Sequence, residues 1–154
     1  MESELGIVLR EQQAVLSYLL SRVALAQGDA RRLAFAALAR ALYAHLSVLR
    51  SILLPKVGDT EFSRQIAAGG RILAEIVAKT IVEQRGVGTN NDIQTLMSSV
   101  LSLLSQESTL SDTTLGALSP QAQRMLAVEA EEEFIRLVGP YDLEDLPAHV
   151  DGFQ

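Results

Sequence analysis

Apolar residues recur in this chain at alternating steps of four and three, and that rhythm leaves one kind of fold open. Leu38, Leu42, His45, Leu49 and Ile52 follow it, as do Leu5, Val8, Gln12, Val15 and Leu19. A third seam is Phe62, Ile66, Gly69, Leu73 and Ile76, and a fourth is Ile93, Leu96, Val100, Leu103, Glu107 and Leu110. Such spacing keeps one stripe of a helix turned toward a partner helix. No stretch alternates apolar and polar residues convincingly, as a half-buried strand would. The expected fold is all-α.

Local punctuation divides the seams into helices. Ser3 can cap a first helix running to about Gln27, where Gly28 ends it. Asp29 is the expected cap of a second helix that stops before Pro55. "VGDT", 57–60, is a turn, and a third helix runs from about Glu61 to Arg85, ending at "GVG", 86–88. Thr89 or Asn90 caps a fourth, from about Asn91 to Ser108, and "STLSDTTLGAL" reads as a loop. Ser119-Pro120 starts a fifth helix that ends at Gly139-Pro140. Helices of 20 to 25 residues are about 30 to 38 Å long. Four of them with short connections predict an antiparallel up-down four-helix bundle, with the additional C-terminal helix packing Leu126, Ala130, Phe134 and Leu137 against one side. Its Glu129, Glu132 and Glu133 should face water. The expected organisation is one helical domain over 1–139 and an irregular acidic tail over 140–154.

Composition excludes several chemistries. There is no cysteine among the 154 residues, so disulfides, thiolate metal sites and cysteine nucleophiles are absent. The N-terminus is acidic where a secretory signal is basic, and no run of about 18 apolar residues occurs, so a cytoplasmic protein with no membrane span is expected. Residues 1–85 hold 11 Lys/Arg against 8 Asp/Glu, and residues 86–154 hold 2 against 11. The basic residues are scattered singly without interleaved aromatics, which argues against a nucleic-acid partner. No Glu-x-x-His, phosphate loop or nucleophile elbow is present, so no enzyme activity is expected.

Three polar residues interrupt the seams: Gln12, His45 and Glu107, each in a different helix. Gly69 in the remaining seam leaves room beside them, and counting from the helix ends puts all four positions at similar depth. A buried imidazole or carboxylate needs a partner, because leaving it unpaired costs about 1–3 kcal/mol or more. Bundle cores hold cofactors at such places.

The chain resembles the hemerythrin-like family, four-helix bundles that carry a non-haem di-iron centre. "REQQAVLSYLL" is similar to that family's Glu-His element, with Gln12 in the histidine place after Glu11. "HLSVLRSILLPKV" is similar to its His-Leu-x-x-Glu-Glu-x-x-Leu-(Phe/Leu)-Pro element, with His45, Leu46, Leu53 and Pro55 matching and Leu49 and Arg50 replacing the acidic pair. "AGGRILAEI" has Gly69 where histidine belongs, and "LLSQESTL" has Leu103 in the histidine place and Glu107 in the carboxylate place. A register one residue earlier would use Ser102 and Gln106 instead. The resemblance spans about residues 1–115 and implies the bundle fold. Of six aligned ligand places only His45 and Glu107 keep a ligand type, too few for two irons. The expectation is a non-catalytic bundle without cofactor that has lost its di-iron site. It would act as a binding, regulatory or protein-interaction module, with a protein partner or self-association. The alternative is a weak metal- or small-ligand-binding bundle using His45, Glu107 and Gln12. His149, in the tail, reads as solvated.

Overall fold

The computed structural model describes residues 3–83 and 90–138. Every regular element among them is helical. Five helices are long: α1 (Glu4–Leu25), α2 (Gly28–Val48), α4 (Glu61–Glu83), α5 (Asn90–Asp112) and α6 (Pro120–Val138). A π-helical turn, Leu49–Leu53, joins α2 to the short α3 (Leu54–Val57), and a 3-10 turn, Leu115–Ala117, precedes α6. The expected end of the third helix at Arg85, the "GVG" at 86–88, the Thr89 cap, Gly139-Pro140 and the tail with His149 lie outside the described residues.

Most helix starts follow from side chains that accept the first free N–H groups. Ser3 Oγ accepts from the Gly6 N–H at 3.0 Å. Thr60 and Ser63 cap α4 reciprocally, each hydroxyl accepting the other's backbone N–H at 3.0 Å. This is a capping box with serine in the usual glutamate place. The start of α2 differs from expectation. Gly28, at φ 59, turns the chain, and the helix begins there with no side-chain cap. Asp29 instead lies in the first turn, where it pairs with Arg32 and still favours the positive end of the helix dipole. Arg31 reaches back to the carbonyl oxygens of Ala26 and Ala24, at 2.7 and 3.4 Å, and satisfies the end of α1.

The second helix does not stop before Pro55. It continues through the proline to Val57 as a 30-residue unit. Proline lacks the N–H of an α turn, and its ring would press on the carbonyl four residues back. The chain answers by widening the preceding turn, so that the Leu54 N–H bonds the Leu49 oxygen, five residues back. A wider turn holds one more residue, and the seam slips accordingly. Leu53 is buried where Ile52 was expected, and Ile52 is only half-buried. By length and composition this unit could cross a membrane, unlike what the count of consecutive apolar residues suggested, but 56% of its apolar window is buried inside the fold.

The first part of the expected loop "STLSDTTLGAL" is helical, as α5 runs to Asp112, and the remainder is a turn and the 3-10 turn. Ser108 and Thr109 bond carbonyls four residues back, those of Leu104 and Ser105. Leu110, fully buried, carries the apolar seam past them.

α1, α2 and α6 pack all three against one another, α4 pairs with α5, and this pair touches the others through α5 on α1 and α4 on α2. Ala34, Ala37, Ala41 and Ala44 are fully buried on α2, and side chains this small let neighbouring helices approach closely. α6 buries Leu126, Ala127, Ala130, Phe134 and Val138, while Leu137 is half-buried.

Candidate functional site

The fold brings Gln12 from α1, His45 from α2 and Glu107 from α5 into one hydrogen-bonded row. All three are buried, with His45 at 0% exposure. His45 Nδ1 lies 2.8 Å from Gln12 Oε1, and Nε2 lies 2.5 Å from Glu107 Oε1. Gln12 Nε2 donates to the Ala130 carbonyl of α6 at 3.1 Å. Four of the five long helices therefore meet at this row.

The proton order follows from its far end. A carbonyl only accepts, so Gln12 must turn its NH₂ toward Ala130 and its oxygen toward His45. That oxygen also only accepts, so Nδ1 carries a hydrogen. The contact between Nε2 and Glu107 Oε1 then holds one proton, and the pair is net neutral whichever atom carries it. Both ring nitrogens and both ends of the Gln12 amide are engaged. Glu107 Oε2 is buried and has no partner among the described residues.

Gly69 does not join the row. A Cβ built there would lie 3.7 Å from Gln106 Oε1 on α5. Leu103 and Glu107 are buried while Ser102 is exposed and Gln106 is half-buried, so it is Glu107 that α5 turns inward. Leu49 and Leu103, in two further ligand places, are apolar core residues at 2% exposure. Among the described residues no group of three His, Cys, Asp or Glu side chains could hold a metal ion. A di-iron centre does not fit this donor set: one imidazole with both nitrogens engaged, one carboxylate, one neutral amide, two leucines and a glycine.

The chain matches no family model, no curated protein and no solved structure. The likeness to hemerythrin-like proteins rests on the quoted motifs alone.

Two partners escaped the sequence reading. The Ala130 carbonyl is a backbone atom and leaves no residue-type signal. Glu133, expected to face water with Glu129 and Glu132, is instead only 17% exposed and accepts from Ser47 Oγ of α2 at 2.8 Å. Arg136 donates to its other oxygen through Nε and Nη2, at 2.8 and 2.6 Å. The Ser47 hydrogen bond, then those from Arg136 and the Arg136 charge, hold the Glu133 carboxyl below its ordinary value, against the opposing effect of burial.

Proposed function

We propose that this chain is a non-catalytic helical binding or regulatory module. It is built as an antiparallel up-down four-helix bundle of the hemerythrin-like kind with an added C-terminal helix, and has lost the di-iron site. In this reading it works in the cytoplasm through a protein partner or self-association, without nucleic acid or membrane. The row Ala130–Gln12–His45–Glu107 is a structural lock. The observation that carries this is the saturation of His45: both ring nitrogens bond to neighbours inside the protein, so no lone pair is left for a ligand. A polar row of this kind also specifies which helices meet, because any other packing strands its members in the core.

A second reading has one observation in its favour, the buried Glu107 Oε2 without a partner among the described residues. It would make His45, Glu107 and Gln12 a weak metal or small-ligand site. Metal analysis of protein purified without chelator, followed by zinc and iron titration, separates the two. The structural lock predicts substoichiometric metal and no oxo-iron absorption. Stoichiometric metal that disappears in His45→Leu would establish the second reading and sink the first.

A further inference from the structure

We propose that the groove between the π turn and α4 binds a small monocarboxylate with an apolar body of about six to eight carbons. The inference goes beyond the reading of the polar row and uses none of its residues. The groove has a volume of about 230 Å³. An apolar cavity of about 150 Å³ accommodates benzene, and pockets for drug-sized ligands start at about 300 Å³, so the space suits a short chain or a single ring. Leu46, Leu49, Leu54 and Ile66 supply apolar wall.

Charge selects the ligand. Arg50 lines the groove from the π turn and Arg71 from α4, both exposed. Among the described residues neither guanidinium has a partner and no acidic residue lines the groove, in a chain with 19 acidic against 13 basic residues. The other polar side chains there already donate elsewhere. The Tyr43 hydroxyl donates to the Ala74 carbonyl at 3.2 Å, and Ser47 donates to Glu133. Among the described lining residues the two guanidiniums are thus the unspent side-chain donors, and a guanidinium matches a carboxylate through two parallel hydrogen bonds. Gly70 keeps the space open, since a Cβ there would lie 3.3 Å from Leu46 Cδ2. Buried Leu49 and exposed Arg50 are adjacent on the π turn and line the same groove. Wide turns of this type recur at functional sites.

The test is calorimetric titration of the full chain with octanoate, octanol and octylammonium, with amide NMR to locate binding. Octanoate is expected to bind and to shift residues 43–54 and 66–74. Octanol should bind at least tenfold more weakly, and octylammonium not at all. R50Q/R71Q should weaken octanoate at least tenfold with an unchanged melting temperature, since both side chains are exposed and have no partner among the described residues. R50K/R71K, which keeps the charge, should retain most of the binding. Equal affinity for octanol, undiminished binding by R50Q/R71Q, or shifts confined to another region would overturn the proposal. Octanoate binding that appears only after deletion of residues 140–154 would overturn it too, by making the chain's own acidic tail the occupant.

Discussion

His45 and Leu46 are neighbours on α2, yet they face opposite kinds of surroundings. The His45 side is closed by α1, α5 and α6, and its polar row is hydrogen-bonded at 2.5 to 3.1 Å, with only Glu107 Oε2 lacking a partner among the described residues. The Leu46 side meets α4 across an open groove whose two arginines have no partner among the described residues. A buried polar group with no partner is expensive, so the chain itself supplies partners to both ring nitrogens of His45 and to both ends of the Gln12 amide. Cations at an exposed rim are hydrated and cost little when left alone. That side can remain unfinished until something binds. The difference separates a feature that serves folding from one free to serve recognition.

The largest expected effect tests the closed side. His45→Leu strands the Gln12 oxygen and the Glu107 carboxyl together, and should destabilise the fold by about 3 to 5 kcal/mol. Urea unfolding at neutral pH reads this from the midpoint. Replacing Gln12, His45 and Glu107 all by Leu removes every stranded group, and should return stability to within about 1 kcal/mol of the parent or above it. A single His45→Leu that costs nothing would erase the contrast between the two sides.

Gln12→Leu is a sharper and milder cut. It strands the Nδ1–H but leaves the His45–Glu107 pair intact, and should cost about 1 to 3 kcal/mol. The Ala130 carbonyl sits within α6, away from the helix end, so the helix ladder supplies it a donor without Gln12. A loss as large as that of His45→Leu would mean the row fails as one unit rather than bond by bond.

The open side is tested by two adjacent glycines of α4. A Cβ at position 69 meets only ordinary contact at 3.7 Å, so Gly69→Ala should stabilise by about 0.5 to 1 kcal/mol through helix propensity. At position 70 the new Cβ comes within 3.3 Å of Leu46 Cδ2, and the leucine must give way. Gly70→Ala should therefore gain less, and should also weaken octanoate. Equal gains at both positions would show that the groove wall is looser than its geometry implies.

How much of this could be read from the residues differs by region. The seams of α1 and α5 were legible because period and burial agree at Leu5, Gln12, Val15 and Leu19 and from Leu96 to Leu110, with Val8 only half-buried, which placed Gln12 and Glu107 inside beside His45. The continuation through Pro55 was not legible. Proline signals a break in an α-helix, and nothing local announces that the preceding turn will widen instead. α5 ran past Ser108 and Thr109 because Leu110 continued the seam, so packing outweighed local polarity. The groove was invisible for a different reason. Arg50 and Arg71 are far apart in sequence, and each looks like an ordinary surface residue until two helices set them along one cavity.

The smallest expected effect lies where the two sides of α2 connect through α6. Ser47 lines the groove and donates to Glu133, whose other oxygen takes Arg136. These bonds favour the carboxylate, so its folded value lies below the ordinary 4.5. With the folded value depressed, the unfolded chain takes up the proton first as acid is added. The stabilisation is therefore fully present above 4.5 and is lost as pH falls through the folded value. Glu133→Gln cannot titrate, so the parent's advantage over it in thermal unfolding should be constant from neutral pH to about 5.5 and shrink steadily toward pH 3. Because the carboxylate is near the surface, added salt should reduce the advantage at every pH. An advantage that persists unchanged at pH 3 would mean that Ser47 and Arg136 hold a side chain whose charge does not matter, and that α6 is joined to the groove wall by shape alone.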